Sequence, residues 1–146
     1  MTHPFAPSIF AAIATLVCSA PIAATAAEPA SVKVSLWDKG SDDGITLSTD
    51  KVKAGAVEFE ITNTSKTTVH EFLITPWDGS VQQLPYSDKE GQVREDALSQ
   101  LAGVEDMKPG AEATLRLPLK AGHYAVFCNQ AGHYKLGMVA ALTVEK

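Results

Sequence analysis

Cysteine is scarce in this chain of 146 residues: only Cys18 and Cys128 are present, which excludes the disulfide-dense frameworks of small secreted domains. Basic runs are missing too. Twelve Lys and Arg against 17 Asp and Glu give a formal net charge of −5, so neither a nucleic-acid backbone nor an anionic membrane surface is an expected partner. The four histidines, His3, His70, His123 and His133, are too few for a multi-metal centre. No serine triad, phosphate-binding glycine loop or paired-carboxylate motif stands out, and the chain is not expected to be an enzyme.

Charge is also absent from the first 27 residues, which contain no Asp, Glu, Lys or Arg. Ile9 to Ala27 is almost wholly apolar or small and ends in Ala24-Thr25-Ala26, an A-x-A cleavage pattern. Residues 1–27 are therefore expected to be a secretory signal peptide and 28–146 the mature domain, in the periplasm or otherwise secreted. The n-region is unusual in offering only His3 and the α-amino group as cations. A retained anchor is the alternative, since the stretch approaches the ~17–25 residues that span a bilayer, but Ser, Thr and Pro21 interrupt it. Thr15-Leu16-Val17 lacks the small residue that lipidation at Cys18 prefers. Cleavage leaves about 120 residues, enough for one domain with one core, and no membrane attachment is expected afterwards.

The mature part reads as short alternating strands separated by turns, which predicts an antiparallel sandwich or barrel. Val32, Val34 and Leu36 share one parity, as do Val57, Phe59 and Ile61. Further strands are expected at 45–52, 69–75, 113–117, 122–128 and 138–144. Between Pro76 and Pro109 this pattern lapses. Ser87 with Glu90 has capping-box spacing, and Val93, Ala97, Leu98 and Leu101 recur near helical period, predicting one short helix over about 88–102. Glu90, Glu95 and Asp96 are read as a solvated face.

With the leader removed, Cys128 is the only thiol, and alone it would pass for a small buried hydrophobe. Its neighbours argue otherwise. FCNQAGHYKLGM places Cys128, His133 and Met138 as Cys-x4-His-x4-Met, and His70 lies upstream in VHEFLI. Thiolate, two imidazoles and a weak axial thioether are the donors of a blue-copper centre, whereas thioether is a poor fourth donor for structural zinc. Parity puts Tyr124, Val126 and Cys128 on one face and His70 inward with Phe72 and Ile74. His123 should face away, and Met107 is read as packing or a turn. Gly132 and Gly137 supply the backbone freedom needed for a loop that returns three ligands to one ion.

On these residues the segment from about Ser31 to Lys146 resembles the cupredoxins, the plastocyanin- and azurin-like blue-copper proteins. The x4/x4 spacing is similar to that of the rusticyanin and auracyanin types and of small periplasmic copper-tolerance cupredoxins. The resemblance implies an all-β Greek-key sandwich and one copper per chain, Cu(I)/Cu(II), held by His70, Cys128, His133 and Met138. It also implies an electron port where His133 meets the surface, with Tyr134 and Leu136 contributing to an apolar patch. One departure is Glu71, where many members follow the first His with an Asn that ties the two ligand loops together.

The function expected is a one-electron carrier between redox protein partners such as cytochromes or oxidoreductases, acting as a monomer. A copper-binding or copper-tolerance protein of the same fold, which sequesters or delivers the metal, is the alternative. Intact mass of the exported protein checks the leader: a chain beginning at Ala27 or Glu28 is expected, and recovery only from membranes with residues 1–26 attached would establish the anchor instead.

Overall fold

The computed structural model describes residues 28–146; the expected leader, 1–27, lies outside the described residues. The chain forms strands β1 (Ala30–Lys39), β2 (Asp42–Leu47), β3 (Lys51–Lys53), β4 (Gly55–Asn63) and β5 (His70–Pro76), followed by the short β6 (Tyr86–Ser87) and β7 (Gln92–Val93). Then come β8 (Ala102–Met107), β9 (Glu112–Leu119), β10 (Gly122–Phe127) and β11 (Val139–Glu145). One sheet has the order β2-β1-β4-β9, the other β3-β11-β10-β5-β8, and β6 and β7 pair separately. The architecture is the β-sandwich that the alternating pattern predicts. Among the described residues no helix is long and apolar enough to cross a membrane.

Pairing is mixed rather than wholly antiparallel: β1 runs parallel to β4 and β3 parallel to β11. The cause lies at 45–52, where one strand was expected. The ladder of β2 ends at Leu47, and β3 resumes in the opposite sheet. The chain therefore returns to β1 running in β1's own direction.

Between the sheets the predicted parity holds. Val32, Val34 and Leu36 of β1 and Val57, Phe59 and Ile61 of β4 meet Phe72, Ile74, Val126 and Leu142 of the facing sheet. Phe59 and Phe72 pack with ring centroids 5.1 Å apart. A second apolar cluster lies on the other face of the β10-β5 pair, where Leu73, Ala125 and Phe127 pack with Leu84, Val93 and Tyr134. The second sheet is thus buried on both faces, and the segment between β5 and β8 is its cover.

That cover corrects the helix expected over 88–102. The local start signal is real, since Glu90 N–H donates to Ser87 Oγ at 3.3 Å and Gly91 N–H to Ser87 O at 2.8 Å. One turn is all that forms. Gly91 takes a left-handed φ of 70°, which stops the helix and returns Gln92 to pair with Ser87. Only a 3-10 turn at Glu95–Ala97 follows before β8. The apolar residues at helical spacing instead serve the second cluster, with Val93 buried and Leu98 and Leu101 packed beside it. Glu90, Glu95 and Asp96 are exposed, as read from the sequence.

Gly103 on β8 opposes Leu73, and a Cβ there would collide with the carbonyl oxygen of Phe72. Because backbone cannot yield as a side chain does, Gly103→Ala should destabilise the domain by about 1–3 kcal/mol. Denaturant unfolding checks this, and a midpoint equal to that of the unsubstituted protein would show that β8 moves aside freely.

Candidate metal centre

His70 opens β5, Cys128 follows the last residue of β10, and Met138 precedes the first residue of β11. These strands are neighbours in the order β11-β10-β5, and Phe127 pairs with both Leu73 and Val139. The three side chains consequently arrive at one end of one sheet. The ladder continues through the site, with Cys128 N–H donating to Met138 O at 3.1 Å. Between them the loop folds into turns: His133 N–H donates to Gln130 O at 2.9 Å, and Met138 N–H to His133 O at 3.1 Å. Gly132 and Gly137 adopt φ of 88° and 106°, the left-handed region that other residues resist.

The donor atoms of His70, Cys128 and His133 all lie within 4.8 Å of one another. His70 Nδ1 is 3.2 Å from His133 Nδ1, which is 3.5 Å from Cys128 Sγ. His70, Cys128 and Met138 are fully buried; the His133 side chain is 15% exposed. Two imidazole nitrogens and a sulfur that face one point suit a cation that accepts both nitrogen and soft sulfur donors.

The surroundings orient these donors. His70 Nε2 lies 2.7 Å from the buried Ser65 Oγ, a contact that holds the ring with Nδ1 turned toward the site. Ser65 is itself fixed, because its N–H donates to Asn63 Oδ1 at 3.0 Å while Asn63 Nδ2 donates to the carbonyls of Thr68 and Met107. Glu71 N–H donates to Cys128 Sγ at 3.2 Å. The Glu71 side chain, pointing away from the core, accepts from Gln130 Nε2 at 2.6 Å. A bridge between the His70 strand and the ligand loop therefore exists without Asn after His70, built from a carboxylate and an amide.

Burial pushes the metal-free Cys128 thiol up to about 11, against the pull of the Gln130 and Glu71 N–H groups. Binding as thiolate therefore displaces a tightly held proton, so the cation competes with it and affinity rises with pH. Burial, and then the neighbouring His133, holds His70 below the usual imidazole range, with Asp43 and Asp38 acting the other way. Burial raises Glu71, opposed by its bond from Gln130.

His123 is exposed, as its parity predicts, and Met107 is buried opposite His70, where its carbonyl serves Asn63. Leu136 is 54% exposed. Tyr134 differs from its expected place in a surface patch. It is buried, donating to Val81 O at 2.9 Å and accepting from Leu84 N–H at 3.0 Å, and its ring stacks on Tyr86 at 5.6 Å. The aromatic ring is more useful covering the second cluster than meeting water.

Tyr134 is one of several ties between the cover and the ligand loop. Asn129, buried directly after Cys128, accepts from Val93 N–H at 2.7 Å and donates to Val93 O at 3.0 Å and to Glu95 Oε1 at 2.8 Å. Gln92 Nε2 donates to Asn129 O, and Gly132 N–H to Gly91 O, both at 2.8 Å. The side chain of Asn129 thereby extends the β7 backbone as another strand would. Ser65 and Asn129 escaped the sequence reading because Ser and Asn in loops normally signal turns.

Residues 8–141 match the family model for the cupredoxin-like domain. A search of curated proteins found no match. Among solved structures, dithionite-reduced auracyanin from Roseiflexus castenholzii is similar with a TM-score of 0.61 at 18% identity, covering 80% of this chain and 97% of the other. Rusticyanin from Thiobacillus ferrooxidans is similar with a TM-score of 0.61 at 20% identity, covering 79% and 76%. Auracyanin B gives 0.58 at 18% identity, covering 84% and 94%.

Asn129→Ala would strip both backbone groups of the buried Val93 of their partners, and each orphaned group costs about 1–3 kcal/mol. Denaturation of the metal-free protein should show a loss of that order. A change within error would mean that water replaces the amide and that the cover is only loosely attached.

Proposed function

The chain belongs to the cupredoxin-like family, and from that premise we propose that it is a one-electron carrier that holds a single copper ion. His70, Cys128 and His133 would hold it as the strong donors, with the Met138 thioether as a weaker fourth. The observation that carries this reading is the convergence of a thiol and two imidazoles at one buried point, with their supporting hydrogen bonds already made. Bound there, copper would supply the Cu(I)/Cu(II) couple, for which soft sulfur and imidazole are a compromise acceptable to both states.

Each residue then has a distinct task. Cys128 brings one negative charge, and the Glu71 N–H withdraws density from its sulfur. Ser65 keeps the His70 ring from turning, while Asn129 and the cover hold the loop at the geometry both redox states share. His133 is the most exposed of the three converging donors and offers the natural route for an electron to reach a partner. Carriers of this type suit redox proteins such as cytochromes or oxidoreductases, and a net charge of −5 favours partners with a basic face. We place the mature protein in the periplasm or outside the cell, on the strength of the leader pattern.

Cu(II) reconstitution should give one copper per chain and an intense visible band. Cys128→Ser should abolish that band, and its persistence would remove the ligand assignment. Met138→Leu should raise the reduction potential while most copper binding remains. Cu(I) should stay on the protein in moderate chelator during many rounds of electron exchange. Release within one redox turnover would instead favour copper delivery.

A further inference from the structure

The inward face of β1 reads Val32, Val34, Leu36 and then, at the same parity, Asp38. A carboxylate ends an otherwise apolar row. Its directly opposed neighbour on β2 is Asp43, so two like charges face each other across the hairpin, an arrangement that opposes pairing. Among the described residues neither forms an ion pair with Lys or Arg. What each does approach is an imidazole.

Asp43 Oδ2 lies 4.0 Å from His133 Nε2, and the two side chains are only 11% and 15% exposed. Asp38 lies on the side of the other ring. His70 Nε2 is 2.7 Å from Ser65 Oγ, and Asp38, which accepts from Thr68 Oγ1 at 2.5 Å, is near enough for its charge to act on His70. Each imidazole therefore presents Nδ1 to the metal centre and has a carboxylate of one hairpin near its other side, Asp43 for His133 and Asp38 for His70.

We infer that Asp43, beside His133, and Asp38, beside the Ser65–His70 pair, are positioning residues of the metal centre whose charge steadies the far sides of the two imidazoles and favours the more positively charged oxidised state. This rests on the copper ligation proposed above. An acceptor behind an imidazole holds the ring and makes it a stronger donor. With one thiolate, the reduced centre is formally neutral and the oxidised centre carries one positive charge. Nearby carboxylates attract only the latter, so they lower the reduction potential. In the metal-free protein the two carboxylates oppose each other in register, with neither paired to Lys or Arg among the described residues. Removing a carboxylate should accordingly weaken the oxidised holoprotein without harming the metal-free fold, the reverse of what a purely structural residue does.

The test uses the full mature chain carrying Asp38→Asn, Asp43→Asn or both, loaded with copper. Reduction potential, Cu(II) affinity by chelator competition and melting of the metal-free protein are measured. The double variant should prefer Cu(I) about tenfold more than the unsubstituted protein does, a rise of about 59 mV for one electron, with the metal-free melting temperature equal or higher. Ser65→Ala should lose about 10–100-fold in Cu(II) affinity, and Ser65→Thr should restore most of it. Unchanged potentials together with lowered melting temperatures would make the two aspartates structural and overturn the inference. Absence of copper binding by the unsubstituted protein, or a visible band that survives Cys128→Ser, would overturn the ligation itself.

Discussion

The pairing of β10 between β5 and β11 is the constraint on which the rest depends. Antiparallel neighbours alternate in direction, so the start of β5, the end of β10 and the start of β11 share one edge of the sheet. His70, Cys128 and Met138 occupy those positions. A single-residue slip would turn Cys128 toward the other face, and the apolar set Tyr124, Val126 and Cys128 on one side, with Ala125 and Phe127 on the other, resists such a slip because both faces are buried. Core packing and ligand placement are in this sense the same specification.

The loop that supplies His133 has no such ladder of its own, and the nine-residue excursion between Cys128 and Met138, with its two left-handed glycines, would be expected to fluctuate. Its rigidity is borrowed. The segment between β5 and β8 lies across the outer face of the sheet and bonds to the loop through Asn129, Gly132 and Tyr134. On the opposite side, Ser65 and the β1–β2 hairpin back the two imidazoles. A site supported from both sides can keep one geometry through a change of charge, which is what electron exchange without reorganisation requires.

Much of this was legible in the sequence. Period-two alternation gives the core faces of β1 and β4, and Cys-x4-His-x4-Met with an upstream His points to His70, Cys128 and His133, whose donor atoms converge. The exposure of His123 follows from parity alone. What the sequence concealed was non-local. Val93, Leu98 and Leu101 have helical spacing, yet their partners are Phe127 and Leu73 on a sheet face whose burial no single strand declares; Gly91 was the local sign that the helix would stop. Mixed pairing arose from the break between Leu47 and Lys51, where the chain changes sheets. Ser65 and Asn129 look like turn residues until their partners are known. Asp38 did carry a signal, since it stands where the apolar row of β1 calls for a hydrophobe. Glu71 in place of Asn was visible, but not that Gln130 would answer it across the loop.

The central claim is that the protein presents one preformed set of donors to copper in both oxidation states. Copper-edge X-ray absorption of the oxidised and reduced holoprotein tests this most directly. The account requires one short sulfur contact and two imidazole nitrogens in each state, with metal–donor distances nearly unchanged on reduction. Loss of an imidazole on reduction, or an oxygen donor taking the place of the sulfur, would contradict it.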